Sequence, residues 1–204
     1  MTDLASSTEQ RRQYSPNIKF SHFGFAVHDL ATMEDFYTRV LGFTVTDRGE
    51  ALPGMDLIFL SRDPRDHHQV VLVSGKPDGI PENPIAPQFG SVINQISFQV
   101  GSLANLRELH EIFLAEDVQS IFPVQHGIAW SIYIHDPEGN NLEFFVDTEW
   151  YFPQPFLEPL DLSMSDDEIY ADTKRIAEAK EGMVPYTDWR ATMGRQMLGF
   201  TPGA

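Results

Sequence analysis

The chain of 204 residues sets 14 Lys+Arg against 30 Asp+Glu, a formal net charge of −16, and its 42% hydrophobic content is enough for a buried core and excludes wholesale disorder. The acidity argues against a nucleic-acid groove, no apolar run approaches the roughly 20 residues that cross a bilayer, and the polar N-terminal stretch reads as that of a cytoplasmic protein. Zero cysteines exclude disulfides and thiolate ligands, so a metal would be held by nitrogen and oxygen donors, an option that seven histidines keep open.

Residues 1–17 read as an N-terminal arm. A strand over Ile18 to Val27 then leads into a helix with apolar residues at spacings of three and four (Met33, Phe36, Tyr37, Val40, Leu41), stopped by Gly42. Strands follow over Phe43 to Asp47, Leu57 to Ser61 and His68 to Val73. Beyond a Pro/Gly-rich linker at 77–91 the same order returns. A strand over Ile93 to Val100 precedes a helix through Leu103, Leu106, Leu109 and Phe113, then strands over Val118 to Val124, Ala129 to His135 and Leu142 to Val146. The last two are joined by the turn Asp136-Pro-Glu-Gly139.

The return is visible in the residues themselves. At a constant offset of 73, Phe25 matches Phe98, Val27 matches Val100, Leu30 matches Leu103, Asp63-Pro64 matches Asp136-Pro137 and Val73 matches Val146. The fold class is α+β, with two βαβββ modules (18–76 and 92–148) in one domain over 18–148. Residues 149–204 form an extension. In it, Trp150 to Pro159 holds three prolines and reads as an extended arm without regular structure. Ser165-Asp-Asp-Glu168 has the spacing of a capping box and opens a helix to about Glu181, which Gly182 and Pro185 end. A short amphipathic helix from Asp188 to Leu198 closes the chain. The arm and terminal helices would suit a sheet edge or a homodimer partner.

Pseudo-twofold symmetry between the modules would bring equivalent residues of the first and last strands to one point. The first-strand pair is His22 and Gln95, and the last-strand pair is Val70 and Glu143. Three of the four positions offer a nitrogen or oxygen donor, a set that leaves about three sites open on an octahedral Fe(II) or Mn(II). Glu143 sits in a run, Leu142 to Phe145, where one face must be buried, and a carboxylate there requires a partner or a metal. Gln95 either joins the metal through its amide oxygen or only hydrogen-bonds. By strand phase, His68 shares the inward face of Val70 and His67 points away.

The duplicated βαβββ unit, Phe36-Tyr-Thr-Arg-Val-Leu-Gly-Phe43 and Asp136-Pro-Glu-Gly-Asn-Asn-Leu-Glu143 resemble the vicinal oxygen chelate superfamily, which includes glyoxalase I, fosfomycin-resistance transferases, bleomycin-binding proteins and type I extradiol dioxygenases. The resemblance implies a partly open, barrel-like sheet around a metal and substrate cavity. Within the superfamily the chain is most similar to the catalytic half of the extradiol, dihydroxybiphenyl-type enzymes. That resemblance implies His22, Gln95 and Glu143 as ligands of Fe(II), or alternatively Mn(II), with Gln95 standing where those enzymes carry a histidine. It implies His68 as acid–base, and Tyr133 and His126 as groups that orient the substrate oxygens. The function implied is ring cleavage of a catechol-like aromatic with O2. The alternatives are another metal-dependent enzyme of the superfamily, an isomerase or lyase, or a non-catalytic binding or resistance protein.

Overall fold

In the computed structural model, residues 19–79 and 93–197 are described, so the N-terminal arm, most of the linker and the last residues of the chain lie outside the described residues. The first module is β1 (Phe23–Val27), α1 (Leu30–Asp35, running on as a π-helical turn over Phe36–Val40), β2 (Thr44–Leu52), β3 (Met55–Ser61) and β4 (Val70–Ser74). The second is β5 (Ile96–Gln99), α2 (Leu103–Ala115), β6 (Phe122–Gln125), β7 (Ala129–His135) and β8 (Asn141–Asp147). The extension adds β9 (Trp150–Tyr151), β10 (Glu158–Pro159), α3 (Asp166–Glu178), β11 (Val184–Pro185) and α4 (Tyr186–Gln196).

The helix starts follow from their caps. Asp29 accepts from the Ala31 and Thr32 amides at the start of α1, Ser102 accepts from the Asn105 amide at the start of α2, and both halves of the Ser165–Glu168 capping box are present on α3. Gly42, at φ +71°, turns the chain out of α1, a conformation that glycine adopts without a Cβ penalty.

The strands form two open sheets, ordered β1-β4-β3-β2 and β10-β6-β7-β8-β5. In each module the first strand pairs in parallel with the last, and the other neighbours are antiparallel. One face of each sheet packs on its helix. Phe25 of β1 touches Tyr37 at 6.2 Å between ring centroids, and Phe144 of β8 touches Phe113 at 5.2 Å. Both packed faces belong to one core, which Phe43 and Phe98 join across the modules at 5.8 Å. A polar joint lies beside it. The Glu138 carboxylate in the β7–β8 turn accepts from the His28 and Asp29 amides at 2.6 and 2.9 Å and from Lys76 Nζ at 2.9 Å.

Two sequence expectations change. The proline-rich segment does contain regular structure: β10 extends the second sheet, with Glu158 facing Gln125 and Pro159 facing Val124, and β9 pairs with β11. Proline is tolerated because β10 is an edge strand. The constant offset also breaks between the first and last strands. Phe23 faces Val70 in the first module, so a residue-for-residue copy would set Ile96 opposite Glu143, but Ile96 faces Leu142. A one-residue slip moves side chains to the other face. Val70 therefore lies on the helix-packed face with Phe23, and Val71, opposite Gly24, stands on the face turned away from the helix.

Candidate functional site

The helix-averted face of the second sheet gathers polar side chains around one carboxylate. Strand alternation puts Gln95 and Ser97 on that face at the start of β5, Ser131 and Tyr133 on β7, and Glu143 on β8. Glu143 is 7% exposed. Its Oε2 accepts from Gln95 Nε2 at 2.8 Å and from the Ser97 hydroxyl, and its Oε1 accepts from the Ser131 hydroxyl at 2.8 Å. His126, just after β6, brings Nε2 within 3.6 Å of Oε1. The Tyr133 hydroxyl donates to Gln95 Oε1 at 3.4 Å and lies 3.3 Å from His126 Nε2.

These contacts set the charge state. Burial would push the Glu143 carboxyl up, but hydrogen bonds from His126, Ser97, Ser131 and Tyr133 overcome it and hold the group below its ordinary 4.5. Burial likewise disfavours a charged His126, and its bonds to Glu143 and to the Phe156 carbonyl reverse that, raising it above 6.5. Burial and the nearby Glu143 charge push the Tyr133 phenol well above its usual value. The group is thus an ionised carboxylate beside an imidazole that favours its charged form and a phenol that stays protonated.

Of the residues singled out in the sequence, the structure brings Gln95, Glu143, Tyr133 and His126 together. His22 and His68 are elsewhere, ring against ring at 4.1 Å in the first module, with His22 exposed. His67 does not turn away from His68. Residues 62–69 form a turn instead of the start of β4, so both rings pack on Phe59, at 5.7 and 5.1 Å, and their Nδ1 atoms are 2.9 Å apart. Burial and the charges of His22 and His67 lower the pKa of His68. Sequence reasoning missed Ser97 and Ser131, the two hydroxyls that hold Glu143. The period-two pattern contained the signal, because Ser97 follows Gln95 by two and Ser131 precedes Tyr133 by two.

Carboxylate, imidazole, amide oxygen and phenol form a nitrogen/oxygen donor set of the kind that suits a divalent cation such as Fe(II) or Mn(II). Among the described residues no three His, Asp or Glu side chains converge as a metal-holding group, so Gln95 or Tyr133 would have to supplement Glu143 and His126. A cleft of about 1080 Å³ opens between the modules, with Phe20, Phe23, Phe43 and Phe98 supplying aromatic surface; it reaches the cluster at Gln95 and Ser97, while Glu143, His126 and Tyr133 are not on its wall. Among the described residues no helix is long and apolar enough to cross a membrane.

Comparison with known proteins agrees with this architecture. Two biphenyl-2,3-diol 1,2-dioxygenases of Rhodococcus globerulus, numbered 2 and 3, are each 29% identical to the chain, over 130 and 129 residues, or 63% of this chain and 63% of theirs. The match thus spans under two thirds of those relatives. A glyoxylase/bleomycin resistance protein/dioxygenase domain from Frankia sp. EAN1pec superposes with a TM-score of 0.53 at 21% identity, covering 65% of this chain and 93% of that one. Residues 19–144 match the Glyoxalase/Bleomycin resistance protein/Dioxygenase superfamily. The chain belongs to that superfamily, with the Glu143 cluster and the paired modules up to the middle of β8 inside the matched stretch.

Proposed function

We propose that the chain is a metal-dependent ring-cleaving dioxygenase of the extradiol type, acting on a catechol-like aromatic and O2. The observation that carries this reading is the Glu143 carboxylate, buried yet held ionised and ringed by Gln95, His126 and Tyr133. The 29% identity to biphenyl-2,3-diol 1,2-dioxygenases supports it and points to a vicinal diol as the substrate class. Glu143 and Gln95 would hold Fe(II), or alternatively Mn(II), with the His126 imidazole beside them, since His22, the ligand expected from the sequence, stands apart from the cluster. The metal would supply chelation of the two substrate oxygens and activation of O2.

The other residues have separate tasks. The protonated Tyr133 phenol donates a hydrogen bond to a diol oxygen. His68, predicted as the acid–base group, packs against His22 and Phe59 in the first module, apart from the Glu143 cluster, and is given no part in this reading. The cleft is somewhat larger than a usual small-molecule site of about 300–1,000 Å³, and its phenylalanines suit an aromatic ring.

A second reading, a protein that holds a small molecule without converting it, is favoured by one feature. Both Glu143 oxygens already accept hydrogen bonds from the protein, so the carboxylate is satisfied as it stands. Anaerobic reconstitution with Fe(II), followed by a panel of catechols with O2 uptake and yellow ring-fission product as readouts, separates the two. Turnover supports the dioxygenase. Stoichiometric diol binding without metal uptake or O2 consumption supports the holding protein.

A further inference from the structure

The wall of the cleft between the modules runs against the charge of the chain. It carries Arg39 and Arg62 with Glu108 as its one carboxylate, in a protein of formal net charge −16. In so acidic a chain an arginine readily finds a partner. Arg48, Arg65, Arg107, Arg175 and Arg190 each pair with a carboxylate, and Arg39 pairs with Asp35 and Glu116.

Arg62 is the exception on the cleft wall. Its Nη1 donates to the Leu41 carbonyl just past α1, and among the described residues it forms no ion pair; the carboxylate next to it in sequence, Asp63, is taken by Arg65 at 2.5 Å. The side chain is exposed. A guanidinium presents five N–H donors in a planar fork, so one bond to a carbonyl leaves Nε and Nη2 for a carboxylate that meets the fork with both oxygens. Phe20, 80% exposed, stands on the same wall with Phe23, Phe43 and Phe98. An uncovered aromatic ring is unremarkable alone, but in one cleft with an unpaired guanidinium it completes a surface that suits a ring bearing a negative charge.

We propose that the inter-module cleft binds an aromatic carboxylate, its ring among the phenylalanines and its charged group held by Arg62. Setting the ligand's far end at Gln95 and Ser97, toward Glu143, makes it an acid-bearing diol substrate and rests on the dioxygenase reading above; the preference of the cleft for an anionic aromatic does not.

Calorimetry on metal-free, full-length protein at low ionic strength tests this with two probes of one shape, biphenyl-4-carboxylate and the neutral biphenyl-4-carboxamide. The wild type should bind the carboxylate about tenfold more tightly, a charge-assisted bond discounted for its exposure. The margin should shrink in about 1 M salt. Arg62→Met, which keeps the aliphatic stem without the charge, should bring the two probes level. Should that variant fail to fold for want of the Leu41 bond, Arg62→Gln, whose amide can donate to the same carbonyl, gives the same comparison. Phe20→Ala should weaken both probes about threefold and leave their ratio unchanged, which ties the ligand to this cleft. Equal affinities in the wild type, a preference that survives the loss of the Arg62 charge, or no binding of either probe overturns the proposal. Fe(II)-dependent catechol cleavage tests the dioxygenase reading separately. Turnover without a carboxylate preference keeps that reading and removes this one, and a carboxylate preference without turnover does the reverse.

Discussion

In the first module the sheet face turned away from the helix carries Gly24, Phe59 and Val71, with His67 and His68 packed on Phe59. In the second the corresponding face carries Ser97, Ser131, Tyr133 and Glu143, with Gln95 and His126 beside them. The topology is the same, but among the described residues only the second module surrounds a buried carboxylate on its sheet face with donors, and only its sheet receives a strand from the extension. The two modules offer equivalent frames, and the polar cluster lies in the one whose sheet the C-terminal arm joins.

The largest expected effect comes from forcing the first module to imitate the second. Val71→Glu buries a carboxylate where the described neighbours are Gly24 and Phe59, and it should cost about 3–5 kcal/mol in denaturant unfolding. A near-neutral result would mean that this face already offers donors. Next is Gly127→Ala, which meets the Phe152 ring at a position with φ +73°. Overpacking and left-handed strain together should cost about 2–4 kcal/mol, and faster proteolysis of the extension would locate the damage.

Glu143→Ala leaves the Ser97, Ser131 and Gln95 donors without their acceptor. It should cost about 1–3 kcal/mol of stability and abolish metal uptake, which retained Mn(II) binding would contradict. The smallest effect should follow His22→Ala, an exposed site, with stability within about 0.5 kcal/mol of the wild type.

The modules should also part in their response to pH. The Glu143 carboxyl is depressed below 4.5, so its contribution to stability is complete above that value and is lost as the pH falls through its folded-state pKa. His126 is raised above 6.5, so its contribution is complete below 6.5 and is lost as the pH rises through its folded-state pKa. The pair therefore contributes most between 4.5 and 6.5. His68 has the opposite sign to His126: lowered from 6.5, it costs stability as the pH falls below that value. Unfolding followed against pH should show the wild-type advantage over His126→Ala shrinking on the alkaline side. In His68→Ala the acidic loss should be smaller than in the wild type.

Much of this was legible in the residues, and what was not has identifiable causes. The β7 strand over Ala129–His135 and the capping box at Ser165 carry local signals strong enough to place them directly. Symmetry singled out Gln95 and Glu143, and resemblance Tyr133 and His126; the same arguments also named His22 and His68, which the structure leaves in the first module away from the cluster. The pairing of Val70 with Glu143 failed because register depends on hydrogen bonding between strands far apart in sequence, and a slip of one residue exchanges faces. The same limit hid the orientation of His67, which a turn sets, and the approach of Phe156 to His126, a contact across 30 residues. Prolines argued against strand structure in the arm, but an edge strand needs only one of its sides to bond.

The two modules are separated most directly by titrating Mn(II) into the full-length protein and following backbone 1H–15N signals as the paramagnetic ion broadens those nearest to it. Concentration of the chemistry in the second module predicts that Gln95, Ser97, Ser131 and Glu143 lose intensity first, at substoichiometric metal, with His22, His67 and His68 following later. Broadening that begins at His22 and His68 and spares the Glu143 cluster would contradict it.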